Sequence, residues 1–133
     1  MSPTKLAASY YCRGVRGAIT VEANTADAIL SATRELLEAM VDANEIELDD
    51  IGSVFFSTTA DLNAEFPAVA ARQLGWIDAP ILCSHEMAVP HSLPMVLRVL
   101  IMWNTPRSAR EIKHVYLRDA WQLRPDRANT LSQ

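Results

Sequence analysis

Met95-Val96-Leu97-Arg98-Val99-Leu100-Ile101-Met102-Trp103 reads as a β-strand, entered from Pro94 and built almost wholly from β-branched, aliphatic and aromatic residues. An apolar run of this kind is the pattern of a central strand buried on both faces, so the rest of the domain has to assemble around it. Arg98 is out of place there. A guanidinium is always ionised and is almost never buried without a partner, so its charge must meet a carboxylate, a packed network or an anionic ligand. Arg98 is therefore the first candidate for binding or catalysis.

Toward the N-terminus, the prolines at 90 and 94 punctuate a loop, and Pro80-Ile81-Leu82-Cys83-Ser84 forms a short strand. Gly75 is a stop signal for a helix that Pro67 opens and that runs to about Leu74. Asp61 begins another helical approach. Ile51 to Thr58 is a strand centred on Val54, Phe55 and Phe56, and the acidic and polar stretch from Asn44 to Asp50 leads into it. Before that lies the clearest amphipathic helix, roughly Ala26 to Ala43. Asn24-Thr25 caps it, Asp27 occupies its first turn, and Ile29, Ala32, Leu36, Leu37, Met40 and Val41 recur at helical spacing. Arg13 to Val21 is the first strand. Toward the C-terminus, Lys113 to Leu117 is one more strand, and a helical turn runs from Arg118 to Leu123. Beyond Pro125 the chain is expected to be mobile. The order β-α-β-α-β-β-β predicts an α+β fold, a mixed sheet with helices on one face, since the later strands lack crossover helices that would make them all parallel. The other face of such a sheet needs a partner.

The 133 residues suffice for one domain: an N-terminal extension over 1–12, a domain over 13–126 and a flexible tail over 127–133. Half of the chain is hydrophobic and 21% is charged, as in a packed globular protein. A net charge of -4 without any Lys/Arg cluster argues against nucleic acid as a partner. The start has no signal-peptide core and no run approaches the length of a membrane span, so a soluble cytoplasmic protein is expected. Cys12 and Cys83 have no CxxC spacing, which suits a reducing compartment and supports neither a disulfide framework nor a tetrahedral metal site.

Polar residues in or beside the strands are Arg13, Arg16, Cys83, Glu86, Arg98 and Tyr116, with Arg72 on the second helix and Arg124 in the tail. Arginines converging on one cleft suit a small molecule with two carboxylates, because each guanidinium makes a planar two-point contact. Glu86 fits a general base, a hydroxyl acceptor or an ion-pair partner, and spacing alone shows no second carboxylate in an opposed role. His85, His91 and His114 match no ligand spacing, so no metal is expected. Ser57, Ser84 and Ser92 lack a GxSxG context, and Gly14-Val15-Arg16-Gly17-Ala18 lacks the lysine and the spacing of a phosphate loop.

Taken in order, Arg13-Gly14-Val15-Arg16-Gly17-Ala18, Asp61-Leu62, Phe66-Pro67-Ala68, Arg72, Cys83, Glu86, Arg98, His114-Val115-Tyr116-Leu117 and Leu123-Arg124-Pro125-Asp126 resemble the monofunctional AroH-type chorismate mutases. The resemblance implies a homotrimeric pseudo-α/β barrel with active sites between subunits. It also implies a rearrangement of chorismate to prephenate that needs no cofactor. By this resemblance Arg98 donates to the ether oxygen and Arg16 binds a substrate carboxylate. Tyr116 holds the compact conformer, and Glu86 with the backbone or thiol of Cys83 receives the ring hydroxyl. Phe66, Ala68 and Arg72 come from the adjacent subunit, Ile81, Leu82 and Leu123 complete the substrate-binding set, and Arg124 closes over the mouth. Two positions depart from the family pattern: Val69 stands in place of a lysine, and Leu82 in place of a threonine, which leaves only backbone donors there. The competing function is a non-catalytic trimer that binds a small anionic metabolite.

Overall fold

The computed structural model describes residues 9–123, so Arg124 and the tail over 127–133 lie outside the described residues, as does most of the N-terminal extension. Five strands form one sheet in the order β3-β2-β4-β1-β5. In chain order they are β1 (Tyr11–Thr20), β2 (Ile51–Thr58), β3 (Ile81–His85), β4 (Val96–Thr105) and β5 (Val115–Leu117), with helices α1 (Ala26–Asn44) and α2 (Ala68–Gln73) between the first three. β4 is central and antiparallel to both β1 and β2, while β3 runs parallel to β2 and β5 parallel to β1. The sheet is therefore mixed, as the order of elements predicts.

Helix α1 starts where the Thr25 side chain accepts a hydrogen bond from the Ala28 N–H, and ends at Glu45, which takes a left-handed φ of 57°. Its buried stripe of Ile29, Ala32, Leu36, Leu37 and Met40 packs with Val15, Ile19, Val54, Phe56, Leu97, Val99 and Ile101 in the main core. The helix presses so closely on β1 that a Cβ on Gly17 would lie 2.3 Å from the Met40 sulfur. Any larger residue there would have to displace the Met40 thioether.

Four details differ from the sequence expectations. β1 begins at Tyr11, which pairs with Thr105, so the strand extends back into the N-terminal segment. Asp61 belongs to a turn closed by the Leu62 N–H donating to the Thr59 carbonyl, and no helix forms there. β5 starts at Val115 because the buried Asn44 side chain takes both backbone groups of Lys113: its amide donates to the Lys113 carbonyl at 2.9 Å and accepts from the Lys113 N–H at 2.8 Å. Finally, β4 is fully buried on one face and, beyond Val96, only half-buried along the other. Leu97, Val99, Ile101 and Trp103 are buried beneath the helices, whereas Arg98, Leu100 and Met102 are half-buried on the opposite face. Both α-helices of the described residues lie on the other side, so among these residues Arg98 sits on a bare sheet surface rather than inside a core.

Candidate active site

Strand register decides which side chains share the bare face. Arg98 pairs with Ala18 on β1 and Ser57 on β2, Ser57 pairs with Ser84 on β3, and Ala18 pairs with Tyr116 on β5. One row of side chains thus crosses all five strands with Arg98 at its centre. The next row contains Leu82, Phe55, Leu100 and Arg16. Between these rows lies a cavity of about 290 Å³ lined by Arg16, Ala18, Phe55, Ser57, Ser84, Glu86, Arg98, Leu100, Tyr116 and Leu123, among others. Ala18, Val96, Tyr116 and Ala120 form a small second core at its β5 end, with Leu123 packed against it.

Glu86 follows β3, and its backbone N–H donates to the Thr58 carbonyl at 2.8 Å, which aligns the end of β3 with the end of β2. Its carboxylate is tied at both oxygens: Oε1 accepts from the Met87 N–H at 3.1 Å, and Oε2 accepts from the Ser57 hydroxyl at 3.2 Å. The same Oε2 lies 3.7 Å from the Arg98 Nε, close enough for attraction and too far for a hydrogen bond. The Arg98 Nε is shielded from solvent and has no hydrogen-bond partner among the described residues. A shielded Nε without a partner, on a guanidinium whose side chain is otherwise 42% exposed, is the arrangement expected where a ligand oxygen completes the set. Arg16 is exposed at the cavity wall, so two cations face one carboxylate in a protein of net charge -4. The Arg16 N–H donates to Nδ1 of His114 at 3.0 Å, which leaves the ring proton of a neutral His114 on Nε2.

The structure brings together Arg16, Glu86, Arg98, Tyr116 and Leu123 from the sequence-predicted set. Cys83 points the other way: it pairs with the buried Phe56 and packs against the helix-side core. Burial pushes its thiol above the ordinary value, and the Ala68 N–H on the sulfur pulls it only part of the way back. Cys83 and Phe66 instead line a second cavity of about 310 Å³ at the β3 edge. Ile81 packs against the main core, Leu82 is exposed on the bare face, and Ala68 and Arg72 belong to α2. Arg124 lies outside the described residues. The histidines occupy separate elements, His85 beside the Thr58 hydroxyl, His91 in the loop before β4 and His114 against β1. No three His, Cys, Asp or Glu side chains among the described residues group as a metal site. Ser57 is the residue the sequence does not single out, because a strand serine without a GxSxG context carries no local signal.

The family model for chorismate mutase type I matches residues 12–127. This chain belongs to the type I chorismate mutase family. The chorismate mutase AroH of Thermus thermophilus is 52% identical over 115 residues, covering 86% of this chain and 94% of that protein. The AroH enzyme of Bacillus subtilis is 42% identical over 115 residues, covering 86% and 91%. A solved chorismate mutase from Clostridium thermocellum superposes with a TM-score of 0.79 at 47% identity, covering 80% of this chain and 96% of that one. As a type I chorismate mutase this protein is an isomerase, and its arginine-bearing cavity lies on the sheet face that its own helices leave bare.

Proposed function

We propose that the cavity around Arg98 rearranges chorismate to prephenate, a step toward phenylalanine and tyrosine, and that three copies of the chain assemble to complete three such sites. The reaction occurs within one molecule: a C–O ether bond breaks while a C–C bond forms, with no cofactor and no covalent intermediate. Two demands follow. The flexible substrate has to be held in its compact conformer, and negative charge developing on the ether oxygen has to be met. Arg16 binds a carboxylate, Tyr116 and Leu123 pack against the compact conformer, and Glu86 accepts the ring hydroxyl with help from the Cys83 backbone. Arg98 donates to the ether oxygen. A fixed cation aimed at transition-state charge in a water-poor site is worth about 3 to 4 kcal/mol, a factor of about 100 to 1000 in rate.

The observation that carries this reading is the solvent-shielded Arg98 Nε without a hydrogen-bond partner, 3.7 Å from a carboxylate that is itself held elsewhere. Support for the trimer is the bare face itself, on which Phe55 is 43% and Leu82 66% exposed, and the position of Phe66, Ala68 and Arg72 away from the Arg98 cavity. The neighbouring subunit supplies those three, and Arg124 closes the mouth. The cytoplasm is the proposed location: both cysteines are free thiols, and no helix among the described residues is long and apolar enough to cross a membrane.

Loss of chorismate ultraviolet absorbance with metal-free protein tests the proposal. The wild type should turn over rapidly, and Arg98→Ala should lose turnover while its circular dichroism stays that of the wild type. Arg98→Lys should not restore activity, because an ammonium lacks the planar Nε–H geometry. An inert wild type that is folded and trimeric would overturn the catalytic reading in favour of metabolite binding.

A further inference from the structure

We infer that Ser57 is a positioning residue whose hydroxyl holds the Glu86 carboxylate off Arg98, so that the Arg98 Nε–H remains available to substrate. The inference rests on the reading of this cavity as the active site.

The Arg98 and Glu86 side chains are 42% and 37% exposed, but the Arg98 Nε itself is shielded from solvent, and a carboxylate beside such a donor ordinarily closes to about 2.7–2.9 Å in a charge-assisted hydrogen bond. Here Glu86 Oε2 stops at 3.7 Å from the Arg98 Nε. What it contacts instead is the Ser57 hydroxyl at 3.2 Å, while the Met87 N–H takes the other oxygen. Ser57 and Arg98 are cross-strand partners on adjacent strands, so their side chains project from the same face side by side. The carboxylate bridges from the end of β3 toward both, and the hydroxyl wins the oxygen. Without that donor, the Arg98 Nε is the cation beside Oε2 among the described residues, and the remaining gap is less than 1 Å wider than a hydrogen bond. Closing it would turn the donor aimed at substrate into half of an internal ion pair, and would also draw Glu86 away from the ring hydroxyl it is to receive. Ser57 thus keeps two opposite charges adjacent and unquenched.

The test compares wild type with Ser57→Ala, Ser57→Cys and Ser57→Thr by steady-state kinetics on chorismate, thermal melting and crystallography. Losing one hydrogen bond to a charged group should lower kcat about 10- to 100-fold. KM should move much less, because the carboxylate contacts made by Arg16 are untouched. Ser57→Cys keeps nearly the volume of serine with a weak donor, and should fall with Ser57→Ala. Ser57→Thr keeps the hydroxyl and should recover most of the rate. An ordering by side-chain size in place of donor strength would overturn the inference, as would a wild-type kcat in Ser57→Ala. The crystal structure of Ser57→Ala reads the geometry even in a protein that does not turn over chorismate. Glu86 Oε2 moving to within about 3.2 Å of the Arg98 Nε supports the inference, and an unchanged separation defeats it. A wild type without mutase activity whose Ser57→Ala variant still shows the closure would sink the functional reading and leave the positioning role standing.

Discussion

Cys83 and Glu86 stand three positions apart yet serve opposite faces of the sheet, because β3 alternates its side chains and Glu86 follows where the strand ends. The sequence resemblance assigns both to the substrate hydroxyl, but only the backbone of Cys83 is left for that role once its sulfur packs on the helix side. The thiol is raised by burial, so it stays protonated at mildly alkaline pH. Iodoacetamide at pH 8 should therefore label Cys83 far more slowly in the folded protein than in urea, as read by peptide mass mapping; equal rates would contradict the burial of the sulfur. A raised value in the folded state also stabilises the protein below the ordinary thiol value near 9.0, and that contribution is lost as pH rises through the raised value. The melting gap between wild type and Cys83→Ala should accordingly narrow above pH 9. At this scale Arg98 was legible in the sequence because one charge in an apolar run is conspicuous without any tertiary information. Ser57 was not, since a hydroxyl in a strand is ordinary until pairing with β4 sets it beside Arg98 and under Glu86.

Helix α1 and strand β2 matched the sequence reading almost residue for residue, because their signals are local: a cap and a 3.6-residue stripe for one, a short β-branched and aromatic run for the other. β5 is shorter than the sequence suggests for a reason no local signal carries, the capture of the Lys113 backbone by Asn44 from the end of α1. Gly17 shows the same limit from the other side. Its place in a glycine-bearing strand suggests a close approach, and only the packed structure identifies what approaches: the Met40 sulfur, with a Leu36 methyl at 3.1 Å from an added Cβ. Met40, Leu36 and their neighbours are fully buried, so neither side chain has empty space to swing into. Overpacking of this kind costs about 1–3 kcal/mol. Gly17→Ala should lower the urea midpoint with the slope of the transition unchanged, and a wild-type midpoint would mean that α1 rides freely over the sheet.

For the whole molecule, the decisive asymmetry is a sheet with one face under two helices and the other carrying Phe55, Leu82, Leu100, Met102 and the Arg98 cavity. The amphipathic order of elements made this legible in the sequence, whereas the apolar run around Arg98 suggested a strand covered on both faces. Both readings are met if the second cover comes from other copies of the chain, since the strand is then apolar on both sides for two different reasons, its own helices and its neighbours. Met102 separates this account from an exposed face, for it sits one row beyond Leu100, opposite Ser53 and Gly14, and does not line the cavity. A carboxylate placed there is harmless in water but must be desolvated without a partner in a covered face, at a cost of several kcal/mol for each copy. If the wild type is the proposed trimer, Met102→Asp should sediment as a single 14.7 kDa chain with its circular dichroism retained, while the wild type sediments at three times that mass. Under the proposed assembly its turnover should fall as well, because Phe66, Ala68 and Arg72 are proposed to serve a neighbour's site. A Met102→Asp protein that still assembled and kept full activity would mean that this face stays open to solvent, and the cavity would then have to work with the residues of one chain alone.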